Sequence, residues 1–587
     1  MTSAEFKDSW ERTVISLINE SPTPDETYKK LAVDGTGAWK LLLNLPPKCQ
    51  ILEIGAGVDS RIHHLTDLDV QLYLLDEDNA RLDFSKKRCR QQLAKAPVSF
   101  LLGNLGQDLP FATGSLDCIL LSRPFNCLHS HGSLGFLATP LAIGSANQPL
   151  MQLLKECRRV LKDSGQLFVV WDNLLGYTRL NVTHLLTAQQ STLWGYQHLL
   201  KLAGFRQLQT YDYQQSKSQL HHLVPLQTGT SPLLSLSRPG KHTLKSRLKK
   251  NRQLAPTLAF IASPETKQKS SLLEEVIQAV SSKLQEQLGN GKLCITDHEI
   301  TRKEKLVIAA SWGTQEFIIK LPLNKTACDS EMNNVDILKS LAVQSGQSRL
   351  FATALCDGEI NKQPFFVETK LTGEPLSQQL LKQGRLAYLD QVSGLLKTLF
   401  TQSGAVPESK TLDSDIYEAH IQQRIDWIYR ANGDTDLKNQ LERYFAQNLK
   451  GIPVSLGMLH GDFSVSNIFT KGGDISGLID WETGDKQGLP ILDAINYLDS
   501  VQRLLNPGMM INQSIPQQAS GQWPIAEETQ FLKKCFDLYS MDPAHHQGLV
   551  YLRWLRHTSY LMKYWLRFSA KGQQRFIYDI AKQLPGR

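Results

Sequence analysis

Four residues in one short stretch have the types and spacing for phosphoryl transfer. In LHGDFSVSNIFTKGGDISGLIDWE, Leu459 to Glu482, the residues His460, Asp462 and Asn467 share a loop, and Asp480 follows the apolar run Gly477–Ile479. The transition state for phosphoryl transfer is loose and highly charged, so a protein catalyses it by positioning and by neutralising charge. Asp462 can orient an acceptor hydroxyl and take its proton. Asn467 and Asp480 offer hard oxygen ligands, which suit Mg²⁺ when phosphate and water complete its octahedron.

Those side chains need a scaffold, and the preceding sequence supplies one. Leu272 to Leu288 reads as an amphipathic helix. Three strands follow, CITDHEI, KLVIAAS and QEFIIKLPL, and the last presents Lys320. Glu331 comes eleven residues later, at the head of an expected helix, EMNNVDILKSLA. A strand lysine oriented by a helix carboxylate is the arrangement that holds α- and β-phosphates in kinase-like folds. Helices are expected to about residue 450 and again over about 525–585.

These segments resemble the aminoglycoside phosphotransferase and choline kinase family, whose motif reads HGDxxxxN followed by IDWE or IDFE. The match holds at His460, Gly461, Asp462, Asn467, Ile479, Asp480, Trp481 and Glu482. The resemblance implies a bilobal α+β, protein-kinase-like domain over 272–587, with an N-lobe at 272–372 and a C-lobe at 373–587. It implies Asp462 as the catalytic base, Asn467 and Asp480 as Mg²⁺ ligands, and Lys320, Glu331 and Glu368 around ATP. Glu368 to Leu371 would cross beside the adenine, and Asp493 in LPILDAINYLDS would brace the catalytic loop. The sequence departs from the pattern in EITRKEKL, between the first two strands, which has no glycine-rich loop. The HRD, DFG and APE segments of protein kinases are absent, which points to a small molecule or a sugar as acceptor. A kinase-like domain kept only for binding is the competing expectation.

A second set of candidate residues lies nearer the N-terminus. CQILEIGAGVDS reads as a buried strand and a glycine turn. Gly55 and Gly57 let the backbone pass close to a ligand. QLYLLDED ends a second strand at Asp76, where an acid can accept hydrogen bonds from ribose hydroxyls. VSFLLGNLGQDLPF, GSLDCILLS, the amphipathic MQLLKECRRVL, the turn KDSGQ and the strand LFVVW follow in order. The series resembles the class I S-adenosylmethionine-dependent methyltransferases over roughly 50–225, which implies a Rossmann-like α/β sheet of seven-strand type. It implies Glu53, Gly55 and Gly57 at the methionine end of S-adenosylmethionine, Asp76 at the ribose, and Asn104 and Leu105 at the adenine. Asp59 stands at the third glycine position, so the helix start is less open than a dinucleotide pyrophosphate needs. Asn173, Tyr177, Trp194 and Tyr196 are either acceptor contacts or packing residues. His129 and His131 are either bases or exposed loop residues.

The whole chain sets outer bounds on these readings. Its 587 residues exceed one hydrophobic core. The division expected is a methyltransferase domain at 1–263, with helical cover over 1–48, a polar linker at 264–271 and the kinase-like domain. Hydrophobic residues make up 41% and charged residues 21%, as in an ordinary globular protein. No run of about 18 apolar residues and no secretory leader is read, and nine scattered cysteines without a CxxC pair suit a reducing compartment, so a cytoplasmic protein is expected. A net charge of +7 permits anionic substrates and gives no reason to expect a specific nucleic acid. RPGKHTLKSRLKKNR, Arg238 to Arg252, carries seven Lys/Arg and no acid. It is either a solvated face or a surface for lipid phosphates and anionic membrane. Together these features predict a bifunctional transferase that uses S-adenosylmethionine, ATP and Mg²⁺. The favoured acceptor is a surface glycan or its lipid-linked precursor. The alternatives are small-metabolite or antibiotic tailoring, and a methyltransferase with a non-catalytic kinase-like domain.

Overall fold

Near-continuous apolar runs form parallel strands covered on both faces, and that is what the N-terminal half builds. The computed structural model describes residues 37–55, 60–91, 97–104, 108–121, 148–172, 192–215, 221–226, 257–265, 270–301, 303–345, 350–402, 409–562 and 574–585. The expected sites Gly57, Leu105, His129, His131, Asn173, Tyr177 and the basic stretch 238–252 lie outside them.

The first sheet contains β1 (Cys49–Ile54), β2 (Val70–Asp76), β3 (Val98–Leu102), β4 (Leu116–Leu121), β5 (Leu161–Asp172), β6 (Gln207–Gln215), β7 (His221–Pro225) and β8 (Thr257–Ser263). Their order is β3-β2-β1-β4-β5-β8-β6-β7. The first five are parallel, while β8 runs antiparallel to both β5 and β6. Strand order reverses between β1 and β4, which opens a ligand crevice at their carboxyl ends. Two details differ from the sequence reading. KDSGQ is not a separate turn but part of β5, which takes it up by a register shift opposite Leu116–Cys118. β7 forms a hairpin with β6 and adds an eighth strand. Leu52, Ile119, Leu167 and Phe260 anchor the buried core here.

A second sheet has the order β12-β13-β11-β10-β9. Its strands are β9 (Leu293–Ile300), β10 (Lys305–Trp312), β11 (Gln315–Pro322), β12 (Ala354–Ile360) and β13 (Gln363–Thr369). The preceding helix is Leu272–Leu288, started by a capping box in which Ser271 and Glu274 satisfy each other's backbone N–H.

By compactness the chain divides into Met1–Gln315 with Ile319–Ala327 and Cys356–Phe365, and a second unit of Glu316–Ile318, Cys328–Leu355 and Phe366–Arg587. This division by compactness falls within the second sheet, and packing around residues 37–45 contributes to it. Trp39 stacks on Phe168 at 5.1 Å. Buried Lys40 donates to the carbonyls of His64 and Leu323, both at 3.2 Å. Burial pulls its pKa down to about 8, against the pull of Asp67 and Glu304. Leu272 N–H donates to Leu43 O, and Asn361 Nδ2 to Leu45 O. Within the first unit, Gly37–Leu45 therefore ties the parallel sheet to elements that follow residue 270. Gly37–Leu42 is a 3₁₀ helix, and the rest of the expected helical cover before it lies outside the described residues.

The second unit is mainly helical. Helices Gln378–Gln402, Ile491–Leu505, Ala526–Leu538 and His546–Met562 bury one continuous core with Leu395, Ile495, Phe531 and Trp554 in it. Short antiparallel pieces sit on this core. Ile468–Lys471 pairs with Asp474–Leu478, and Gly457–Leu459 pairs with Asp485–Gly488. These two pairs carry the chemistry-bearing loop. Among the described residues, no helix is long and apolar enough to cross a membrane.

Candidate functional site

The loop from His460 to Asn467 is held by its own backbone before any ligand is considered. Gly461 sits at φ +80, and a Cβ there would lie 2.4 Å from the carbonyl oxygen of Thr483, so only glycine fits. The amides of His460 and Gly461 donate to the two carboxylate oxygens of Asp493, at 2.6 and 2.9 Å. Asp462 N–H donates to His460 Nδ1 at 3.2 Å, so the opposite ring nitrogen, Nε2, carries the proton and donates to Ile479 O at 2.8 Å. The His460 ring is fully buried and packs on Trp481. It is thus a neutral strut between the loop and the strand that leads to Asp480.

Asp462 and Asn467 are brought together. Asn467 Nδ2 donates to Asp462 O at 2.9 Å and to its Oδ2 at 3.3 Å. With the amide nitrogen committed, Oδ1 of Asn467 is the atom left to meet a cation. Asp480 adopts φ 70, ψ 61, a left-handed conformation that aspartate tolerates better than most residues. Among the described residues no cluster of three His, Cys, Asp or Glu could hold a metal alone. One amide oxygen and one carboxylate nevertheless fit Mg²⁺, which takes few protein ligands when a substrate's phosphates supply the rest.

The sequence reading missed what aims the Asp480 turn. Asn333 Nδ2 donates to the carbonyls of Glu482 and Gly484, at 3.1 and 2.9 Å. Its neighbour Asn334, 1% exposed, accepts from Trp481 N–H at 3.1 Å. The same Asn334 donates to Glu368 Oε2 at 2.9 Å and to Glu331 Oε2 at 3.3 Å. One amide therefore links both predicted carboxylates to the residue after Asp480. Two adjacent asparagines one turn past a candidate glutamate were the available signal. Glu331 does not head its helix, because the helix spans Lys325–Ser345 and Glu331 lies well inside it. Lys320 is buried on β11 and belongs to the first unit, whereas Glu331, Glu368, Asp462, Asn467 and Asp480 belong to the second.

Asp493 gives the loop a pH dependence. Burial raises its carboxyl to about 7 from the ordinary 3.8, against the lowering effect of the two amides. The folded state therefore holds this proton more tightly than the unfolded chain does. Stability from this group is full below pH 3.8, declines as pH rises towards about 7, and changes no further above that. Urea midpoints measured from pH 5 to 8 should fall and then level off, and Asp493→Asn should remove that component.

The crevice of the first sheet carries the other predicted residues. Gly55 follows β1 at φ 98, and its N–H donates to Leu75 O. Glu53 is fully buried. Its carboxylate accepts from Ser60 Oγ at 2.7 Å, Arg61 N at 2.6 Å and Ile62 N at 2.8 Å, so it holds Ser60–Ile62 against β1. Glu53→Ala should expose those amides, at a cost of about 2–4 kcal/mol. Hydrogen exchange at Arg61 and Ile62 measures the loss. Asp76 ends β2, is fully buried, and accepts from Arg81 Nε at 3.2 Å and Asp78 N at 2.8 Å. Asn104 is exposed just beyond β3. Tyr196 is a core residue, stacked on Trp171 at 4.4 Å, so it is withdrawn as an acceptor contact, while Trp194 is 53% exposed.

Comparison with known proteins finds two families along the chain. Residues 304–507 match the phosphotransferase enzyme family, and residues 52–169 match a methyltransferase domain. No curated protein matches the chain in sequence. Among solved structures it is similar to a thermostable variant of aminoglycoside phosphotransferase APH(4)-Ia in ternary complex with ADP and hygromycin B. That likeness has 15% identity and TM-score 0.35, over 53% of this chain and 100% of the other. It is also similar to a TehB-like SAM-dependent methyltransferase from Corynebacterium glutamicum, at 13% identity and TM-score 0.22, over 38% of this chain and 83% of the other. The family matches, and not these likenesses, carry the assignment of the two domains.

Proposed function

We propose that this chain, a transferase carrying a methyltransferase domain and a phosphotransferase domain, methylates and phosphorylates one acceptor or two acceptors of one pathway. The methyltransferase domain is assigned to 1–263 and the kinase-like domain to 272–587. S-adenosylmethionine would supply an already activated methyl group, so the protein has mainly to align the attack. Glu53, Gly55, Gly57, Asp76, Asn104 and Leu105 would hold that cofactor. ATP would lie against Lys320, Glu331 and Glu368, with Asp462 taking the proton of the acceptor hydroxyl. Mg²⁺ on Asn467 and Asp480 would neutralise phosphate charge.

The observation that carries the phosphate-transfer half is the Asn467–Asp462 link. It holds Asn467 against Asp462 on one loop and leaves Asn467 Oδ1 as the amide atom that would meet a cation. The proposed acceptor is a cell-surface glycan or its lipid-linked precursor, met at the cytoplasmic side, with residues 238–252 against an anionic membrane. Tethering two activities on one chain raises the local concentration of a shared intermediate.

Dual labelling tests this reading. The purified chain is incubated with methyl-labelled S-adenosylmethionine, γ-labelled ATP, Mg²⁺ and a fractionated extract of its host. Both labels in one glycan or glycolipid fraction support it. Both in a small-molecule fraction replace the glycan with metabolite or antibiotic tailoring. Methyl label alone in every fraction makes the second domain a binding module.

A further inference from the structure

The turn after Asp480 returns to the catalytic loop through a region with an excess of positive charge. Asp485 pairs with Leu459, directly before His460. Thr483 Oγ1 donates to His460 O at 3.1 Å, and Arg556 Nη2 donates to Thr483 O at 2.8 Å. Arg556 Nη1 and His420 Nδ1 each lie 3.9 Å from Asp485 Oδ2, too far for a hydrogen bond. Arg424 lies within electrostatic reach of both Arg556 and Asp485. Its guanidinium stacks 4.6 Å over Trp427, and its Nε is buried with no hydrogen-bond partner among the described residues.

The other nearby carboxylates are already engaged. Glu482 accepts from the Tyr560 hydroxyl at 3.0 Å, and Asp493 accepts the two loop amides. Asp485 and Asp493 both face Arg556, and Asp485 is the carboxylate that also faces Arg424 and His420. Burial and Arg556 lower the Arg424 pKa to about 10, and burial lowers that of His420. Keeping a half-buried guanidinium incompletely paired beside a second one is costly, and an anion received there would offset that cost. A planar guanidinium fork matches phosphate or carboxylate oxygens.

We infer that Arg424, with Arg556, forms an oxyanion subsite beside the catalytic loop, which takes a phosphate or carboxylate carried by the phosphoryl acceptor. This rests on the reading that Asp462 serves transfer to a hydroxyl. It sets the acceptor class as anionic, because a polycationic acceptor would be repelled by the same charges.

The test is calorimetric titration of the full chain with its nucleotide site filled by a non-hydrolysable ATP analogue and Mg²⁺. The probes are inorganic phosphate, acetate and spermidine. An oxyanion should bind with one-to-one stoichiometry and spermidine should not. Tighter binding of phosphate would indicate a phosphorylated acceptor, and tighter binding of acetate a uronate-like one. Arg424→Met, which keeps an apolar stem over Trp427, should weaken the oxyanion by about tenfold or more. Asp485→Asn should strengthen it about threefold, by removing the competing carboxylate. No oxyanion binding to the parent chain, or unchanged affinity in a folded Arg424→Met variant, would overturn the subsite. If Arg424→Met fails to fold, unchanged affinity in Asp485→Asn does so. The readout needs no turnover. A chain that binds the oxyanion but transfers no phosphate refutes the phosphotransfer reading and leaves the subsite standing.

Discussion

Asp462→Ala lowers phosphate transfer by about 10²–10⁴-fold and leaves methyl transfer unchanged. The size follows from the job assigned to the carboxylate, which is to orient the attacking hydroxyl and take its proton. The selectivity follows from the architecture. Asp462 lies in the second compact unit, while Gly55, Glu53 and Asp76 lie in the first. The loop itself should survive, because its main supports are the Asp493 carboxylate and the His460 ring rather than the Asp462 side chain. Nucleotide binding should therefore persist while kcat collapses. Parallel assays of the two labels on one preparation check this. Retained phosphate transfer would remove Asp462 from the catalytic role.

Asn334→Ala is expected to lower phosphate transfer by about 10–100-fold and stability by about 2–4 kcal/mol. Asn334 touches no reacting atom in this argument. It is a positioning residue, with one face on Trp481 N–H and the other on Glu331 and Glu368. Removing it strips a buried amide of its acceptor and takes a shared donor from two buried carboxylates. Asn334→Asp should be worse than Ala, because it places a third carboxylate where two already meet. The order asparagine, alanine, aspartate in both kcat and melting temperature is the signature. A merely space-filling role would let aspartate, which is nearly the same size, perform best. Active Asn334→Asp would therefore refute the link between these carboxylates and the Asp480 turn.

The motif residues were legible because their chemistry is local. His460, Asp462 and Asn467 fall within eight residues, and a loop that short must gather them. The strands of the first sheet were legible because a buried parallel strand is a short apolar run, as in Ile51–Ile54 and Leu116–Leu121. What stayed open or was misread had non-local causes. Tyr196 looks the same in sequence whether it faces a substrate or a core, and only Trp171 and Phe260 on other elements decide that it is core. The start of the Glu331 helix was misread because its first residues, KTACDS from Lys325 to Ser330, are mostly polar and small. Packing across the expected linker was not legible either, since Lys40 reaches a carbonyl 283 residues away and no linker composition announces that.

The sequence alone determined the two chemistries, because each needs particular side chains at short, fixed spacing. Tertiary structure alone decided how those groups are held. Asn334 gathers Glu331, Glu368 and Trp481, Asp493 braces a loop 32 residues before it, and Arg424 comes within electrostatic reach of Arg556 on another helix. The physical reason is that buried polar groups must find partners wherever the packed chain brings them, and sequence separation places no limit on that search.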